Sequence, residues 1–134
     1  MEELKKFISQ WQETKSKTRQ AFTELLDHLN SMENITIDFK ARPGITYSLR
    51  PKHNSQNDRA LFAMIDVIDD DPKEKWLSVC FYGDMISDPE EAGDIIPEGL
   101  LGEDGHCFDI YEYESSEIEY LKNRLDDAYK SAQK

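Results

Sequence analysis

The chain has 134 residues, of which 38% are hydrophobic and 33% are charged. This length and balance fit one globular domain with its own core and exclude a wholly disordered chain. The net charge of −12 is concentrated in residues 66–119, which hold eighteen acidic and two basic side chains. Such a surface repels phosphate backbones and excludes nucleic-acid binding through it, so it either serves solubility or attracts cations or a basic partner.

The start of the chain carries no apolar stretch of the kind found in a signal peptide, and no run approaches the ~18 apolar residues of a membrane span. We therefore expect a cytoplasmic protein that does not bind membranes. On that basis Cys80 and Cys107, which lie in apolar segments, are expected to be reduced and buried rather than bridged.

Residues 1–32 have the periodicity of a helix. Eight residues at alternating spacings of four and three form one stripe, namely Leu4, Ile8, Trp11, Lys15, Thr18, Phe22, Leu25 and Leu29. A helix of this length would span about 45 Å, whereas so small a domain is about 30 Å across. The helix therefore either breaks near residues 15–18, or residues 1–19 form an extension that protrudes from the domain.

The apolar side chains of such an extension would need a cover. Phe7, Ile8 and Trp11 are the candidate interface residues, because aromatic side chains are enriched at protein contacts. A second copy of the chain, or another protein, would supply the partner. Alternatively, the same side chains cap the core of their own domain.

The next segments predict a β-hairpin. Residues 35–39 and 45–49 alternate between apolar and polar side chains, and Pro43 and Gly44 between them are typical of a turn. A two-residue loop would place Phe39 opposite Ser48, on mismatched faces. We therefore expect a three-residue loop or a bulge.

Three more strands are predicted at residues 60–68, 76–82 and 106–113, of which the first two are apolar on both faces and so central in the sheet. Residues 83–105 read as a long ordered loop of the kind that forms lids and binding loops. A closing helix follows, with Ser116 and Glu119 spaced as a capping box. The sequence thus predicts one α+β domain over residues 1–134, with a single antiparallel sheet of about five strands and the N-terminal and C-terminal helices packed on one face.

Three segments also carry a family resemblance. Residues 45–50, residues 61–65 and residues 125–132 resemble the YdhG-like bacterial domains of unknown function, as does the layout of helix, strands and helix. The resemblance implies a fold rather than a chemistry. It lends slight weight to a cation role, because some relatives have been compared with frataxin, an acidic iron chaperone.

The densest carboxylate cluster consists of Asp66, Asp69, Asp70 and Asp71. Several carboxylate oxygens on one turn can bind a hard cation, so these four residues are the candidate metal ligands. The spacing and glycine of an EF-hand loop are missing, however, and a solvated turn is the alternative. No nucleotide, zinc or hydrolase motif occurs. We therefore expect no cofactor, and the sequence nominates no catalytic residue.

Three functions remain open at this point. The first is a non-enzymatic binding or interaction module that contacts a partner, or a second copy of itself, through the first helix and residues 83–105. The second is a cation-binding or metal-chaperone-like protein that uses the acidic surface. The third is an enzyme with a pocket under residues 83–105.

Overall fold

The computed structural model of the chain describes residues 2–71 and 73–134. Met1, and Pro72 of the predicted turn after the aspartates, lie outside the described residues. The elements in chain order are α1 (Glu2–Gln10), α2 (Thr18–Asn30), β1 (Ile35–Arg42), β2 (Thr46–His53), β3 (Met64–Ile68), β4 (Trp76–Tyr82), β5 (Asp94–Leu100), β6 (Glu103–Ile110) and α3 (Ser115–Ala132). None of these described helices has the length and apolar character needed to cross a membrane.

The strands form one antiparallel sheet in the order β1-β2-β3-β4-β6-β5. The predicted α+β class and single antiparallel sheet are confirmed. The strand count is six because β5, and the first residues of β6, lie inside the predicted loop at residues 83–105. Leu101 and Gly102 connect the two strands with φ values of 50° and 88°, the left-handed conformation that a tight two-residue hairpin requires.

The N-terminal segment is two helices rather than one. Lys17 adopts a φ of 56° directly before α2, which interrupts the helix. The hydroxyl of Thr18 donates to the backbone carbonyl of Lys75 at 2.7 Å, and the hydroxyls of Thr14 and Ser16 donate to Glu74. Polar side chains in the middle of the N-terminal segment therefore bond to the residues before β4. These bonds fix the break in the helix near residues 15–18, which was one of the two predicted alternatives.

Because of this break, α1 folds back onto the domain, and the alternative of a protruding extension at residues 1–19 is wrong. The side chain of Trp11 is 6% exposed, and its ring lies 5.6 Å from that of Phe22. Phe7 stacks on Tyr47 of β2 at 4.1 Å between ring centroids. Phe7 and Ile8 are half-buried, so all three candidate interface residues pack on the core, and a role for them in binding a partner stays a prediction.

Both ends of the chain pack on the same face of the sheet. A row of apolar side chains runs across four strands in register, formed by Leu49, Ile65, Val79 and Phe108, and none of them is more than 5% exposed. Phe108 contacts Tyr120 of α3, while Tyr47, two residues from Leu49 on the same face, contacts α1. The polar row Ser48, Asp66, Ser78 and Asp109 lies on the opposite face, which none of the described helices covers and which we call the open face.

The hairpin between β1 and β2 has a three-residue loop, which is one of the two predicted alternatives, the other being a bulge. Arg42 pairs with Thr46, so Pro43, Gly44 and Ile45 form the connection, and Phe39 pairs with Leu49 on the apolar face. Gly44 has a φ of +81°, which explains the need for glycine at this position.

Two local predictions are wrong. Cys80 and Cys107 are joined by a disulfide, because β4 and β6 are neighbours in the sheet and the two residues stand directly opposite each other. The cytoplasmic location that led us to expect free thiols stays a prediction. The capping box is also not formed, since α3 begins at Ser115 and its N-cap residue, Glu114, makes no side-chain capping bond.

Candidate binding groove at a sheet edge

A groove of about 410 Å³ lies where the C-terminal half of β6 faces the N-terminal half of α3. We call it the edge groove. Its lining residues come from the segment before β5, from β6 and from α3, and they are Glu90, Ala92, Phe108, Asp109, Ile110, Ser116, Glu117, Glu119, Tyr120, Leu121 and Asn123. The groove thus combines three segments that are far apart in the sequence.

The floor of the groove borders a strand edge that no described strand covers. Residues of β5 pair with β6 only as far as Cys107, where Asp94 is the partner. The chain then leaves the sheet at Gly93. On the other side, β4 continues to pair with β6 through Ile110. One edge of β6 is therefore unpaired from Phe108 onward.

The disulfide fixes which backbone groups face that edge. The Cα atoms of Cys80 and Cys107 are 4.1 Å apart, close to the separation of about 4.5 Å that marks a non-hydrogen-bonded pair in an antiparallel ladder. The N–H and C=O of Cys107 therefore point away from β4 and towards β5. Because this direction repeats every second residue, the N–H and C=O of Asp109 point to the same side, where β5 has already left the sheet.

The chemistry of the groove changes from floor to rim. Phe108, Ile110 and Leu121 form an apolar floor and are each at most 5% exposed. The rim is exposed and carries three carboxylates, from Glu90, Glu117 and Glu119, whereas the backbone of Asp109 lines the groove and its side chain lies on the opposite face of the sheet. No lysine or arginine is among the lining residues, but Nζ of Lys122 lies 3.3 Å from Oε1 of Glu119. The groove is thus an apolar channel with a strongly negative border.

Two carboxylates near the groove, Glu117 on the rim and Asp109 on the opposite face of the sheet, are held in an environment that disfavours their charge. Burial raises the pKa of Glu117, and the neighbouring charges of Glu114 and Glu112 raise it further. Burial also raises the pKa of Asp109, with an added contribution from Asp94, although a hydrogen bond from Tyr111 opposes this. A cation placed in the groove would relieve the effect on Glu117.

A hydrogen-bonded turn holds the wall opposite α3. Asp88 accepts hydrogen bonds from the backbone N–H groups of Gly93 (2.9 Å) and Ala92 (3.1 Å) and from the hydroxyl of Tyr120. Its Oδ2 also lies 2.8 Å from Nε2 of His106. Burial on its own would raise the pKa of Asp88, but these hydrogen bonds lower it well below the usual range.

Tyr120 links the turn directly to α3. Its hydroxyl accepts a hydrogen bond from the backbone N–H of Glu90 at 3.1 Å and donates to Asp88. Gly93 packs so closely on β6 that an added Cβ would lie 2.6 Å from Cδ2 of His106 and 2.9 Å from Cε2 of Phe108. The wall is therefore fixed at both of its ends.

The structure does not bring the candidate metal ligands together. Asp69 lies 3.7 Å from Nζ of Lys75, Asp70 accepts from the indole of Trp76, and Asp71 accepts from the backbone N–H of Lys73. Across residues 2–71 and 73–134, no group of three or more His, Cys, Asp or Glu side chains is arranged to hold a metal ion. Metal binding by these residues stays a prediction.

Asp66 is separated from the other three by its place on β3. It lies on the open face of the sheet, and its Oδ1 atom is buried without a hydrogen-bond partner among the described residues. Burial raises its pKa, which hydrogen bonding by Ser48 and the charges of Arg50 and Arg42 partly offset. This carboxylate belongs to the sheet face rather than to the turn that follows it.

A second depression, of about 670 Å³, lies at the beginning of β6, whereas the edge groove lies at its end. Its one basic side chain, Arg59, donates to Asp84 at 2.8 Å and to Glu103 at 2.8 Å and lies over the ring of Tyr82. Because the guanidinium is already occupied on its face and along its edge, this depression offers less to a ligand than the edge groove does.

The sequence analysis did not predict that the residues of the groove lie together. It predicted the acidic character of residues 66–119 and a binding role for residues 83–105, both of which contribute to the rim. It had no means of locating the unpaired edge, because that depends on where β5 leaves β6.

Fold and groove together define a six-stranded α+β domain with helices on one face and a negative groove at a sheet edge. Comparison with models of protein families, with curated proteins and with solved structures found no match to this chain. The resemblance to YdhG-like domains stays a prediction.

Proposed function

We propose that this protein is an interaction module that binds an extended, basic segment of a partner protein in the edge groove, by adding that segment to the sheet beside β6. The observation that carries the proposal is the unpaired backbone of Asp109 at the base of the groove. An extended peptide satisfies such an edge with main-chain hydrogen bonds, and neighbouring pockets receive its alternate side chains.

The geometry supports a short segment. The unpaired edge runs over Phe108, Asp109 and Ile110, a length of about 10 Å at ~3.4 Å per residue. At one end, the turn that Asp88 organises limits further pairing. A segment of this length would make few backbone hydrogen bonds, so its side chains must supply much of the affinity.

The negative charge around the groove supports a bound segment that is basic. Glu119 pairs with Lys122, but Glu90 and Glu117 have no basic partner among the described residues, and residues 66–119 carry a net charge of −16. Complementary charge both speeds the encounter and excludes acidic competitors. A partner with lysine or arginine residues in an extended stretch therefore fits this surface.

The other two functions have less support. The Asp88 and His106 pair resembles part of a catalytic set, but the Asp88 carboxylate accepts several hydrogen bonds that fold the turn. The four aspartates predicted as metal ligands contact different parts of the structure and do not converge on one site. Binding of an extended segment uses the groove as it stands.

A peptide selection tests the proposal. Random peptides of about seven residues, enough to cover the free edge at ~3.4 Å per residue, would be displayed on phage and selected on the wild-type protein. Selected peptides would then be titrated against Asp109→Pro and Asp109→Asn. Proline removes the N–H that strand addition uses, but β4 does not use this N–H, so an edge position tolerates the change. Asparagine keeps the N–H and removes the charge.

We expect binding to be lost in Asp109→Pro and to be weakened by no more than about threefold in Asp109→Asn, because the side chain of Asp109 lies on the opposite face of the sheet from the groove. Thermal unfolding checks that both variants fold. If proline unfolds the protein, the same question is put to the peptide, since N-methylation of its backbone removes pairing while its side chains remain. Selected peptides that bind equally well after N-methylation at each position would overturn strand addition, and so would a selection that enriches nothing.

A further inference from the structure

Resting on the proposed function, we infer that the residue of the bound segment that enters the edge groove is an arginine or a lysine, with its hydrocarbon stem on the floor and its charged head at the glutamate rim. The inference concerns one position of the ligand and goes beyond a general preference for positive charge. It follows from the pairing of a buried apolar floor with exposed carboxylates in one groove.

Strand geometry decides which side chains enter the groove. Side chains of an added strand that stand opposite Phe108 and Ile110 point to the same face as those residues, which is the face covered by α3. The side chain opposite Asp109 points to the open face. Every second residue of the segment is therefore directed at the groove.

The floor suits a long apolar stem. A side chain that enters the groove lies beside the buried side chains of Phe108, Ile110 and Leu121. Long basic side chains bury their methylene groups along apolar surface while their heads remain at a polar boundary. A short side chain would leave the floor in contact with water, and an apolar one would leave the rim unpaired.

The rim suits a cationic head. Glu117 and Glu119 on α3 and Glu90 on the opposite wall border the same groove. Glu90 is held there because its backbone N–H bonds to Tyr120. The groove therefore presents carboxylates on two sides, to which a guanidinium with its five donors, or an ammonium, can bond.

Four peptides distinguish the contribution of the hydrocarbon stem to binding from the contribution of the charge. In an otherwise uncharged β-forming host of alternating threonine and valine, one central residue is arginine, lysine, citrulline or diaminopropionate. Citrulline keeps the length of arginine without its charge, and diaminopropionate keeps a charge on a short stem. We expect arginine and lysine to bind at least about tenfold more tightly than either of the others, because each of those loses one of the two contacts.

Protein variants locate the charged head. Glu117→Gln and Glu90→Gln should each weaken the arginine peptide about threefold to tenfold and leave the citrulline peptide unchanged. Glu33→Gln, which alters an exposed glutamate outside the groove, is the matched control and should change neither. Isothermal titration at constant ionic strength gives the dissociation constants.

The outcomes separate this inference from the proposed function. If diaminopropionate binds as tightly as arginine, or if Glu33→Gln weakens binding as much as Glu117→Gln, general charge attraction explains the data and the inference is wrong. If citrulline binds as tightly as arginine, the groove selects for the length and shape of the side chain and not for its charge, and the inference is again wrong. In both cases sensitivity to N-methylation would still support strand addition, whereas a loss of that sensitivity would overturn the proposed function itself.

Discussion

The Nε2 atom of His106 on β6 lies 2.8 Å from Oδ2 of Asp88, eighteen residues earlier in the chain. This contact ties the turn before β5 to the strand on which that turn packs. Since Glu90 and Ala92 project from the same turn, the pair positions one whole wall of the edge groove. The stability of this wall and the ability to bind a ligand are therefore linked, and several measurements can separate them.

Replacing Asp88 with asparagine should destabilise the protein by about 1–3 kcal/mol at neutral pH. The asparagine amide would direct its NH₂ group towards the N–H of either Gly93 or Ala92, so a donor would face a donor. Because folding lowers the pKa of Asp88, its carboxylate stabilises the folded state above about pH 4, and that contribution is lost as the pH falls towards the folded pKa.

The free energy of unfolding, measured with denaturant from about pH 7 to about pH 2, checks this prediction. The difference between wild type and Asp88→Asn should shrink towards acid pH. Asp58→Asn, which changes an exposed aspartate, should track the wild type throughout. An Asp88→Asn difference that stays constant with pH would show that the carboxylate does not have the hydrogen bonds described above.

Gly93→Ala should destabilise the protein by about 1–3 kcal/mol, because the new methyl group would overlap the rings of His106 and Phe108. The matched control is Gly83→Ala, where nothing lies within 4 Å of the added atom and a change within about 0.5 kcal/mol is expected. Thermal and denaturant unfolding of both variants provides the comparison. Equal stability of the two variants would contradict the close approach at Gly93.

Reduction of the Cys80–Cys107 disulfide should lower the free energy of unfolding by about 2–4 kcal/mol, because the bridge restricts the unfolded chain. Denaturant titrations with and without a thiol reductant measure the effect. A variant with alanine at both positions should not respond to the reductant. Two thiols that react with an alkylating agent in the unfolded, unreduced protein would show instead that the bridge is not formed.

The affinity for an arginine-containing peptide should fall as the pH is lowered from about 7 towards about 4. Folding raises the pKa of Glu117, so this carboxylate takes up a proton at a higher pH than an ordinary one and then no longer attracts a cation. Titrations at several pH values test this, and Glu117→Gln should show a shallower dependence. An affinity that rises on acidification would contradict the electrostatic account of the rim.

Much of the fold was predictable because it depends on local patterns. The alternation along β1 and β2, and the mismatch that a shorter loop would cause, together gave the register at Phe39 and Leu49. The break in the N-terminal helix was one of two alternatives, since length alone showed that an unbroken helix could not fit. The closing helix carries an apolar stripe that places Leu121 and Leu125 in the core.

The parts that were missed depend on partners distant in sequence. β5 carries no usable alternation, because Ile95 and Ile96 are 67% and 44% exposed at the edge of the sheet and Pro97 follows them. The disulfide joins β4 and β6, which are neighbours in the sheet although the two cysteines are 27 residues apart in the sequence. The groove arises because β5 leaves β6 at Asp94, and no local pattern marks that position.

Hydrogen exchange at the backbone amide of Asp109 tests the central claim most directly. Strand addition predicts that this N–H exchanges readily in the free protein and becomes protected when a saturating arginine-containing peptide is added, since the peptide backbone then accepts its hydrogen bond. The amide of Phe108, which points to β4, should be protected in both states and serves as the internal control. If the peptide binds and the Asp109 amide continues to exchange at its original rate, the segment does not extend the sheet and the account is contradicted.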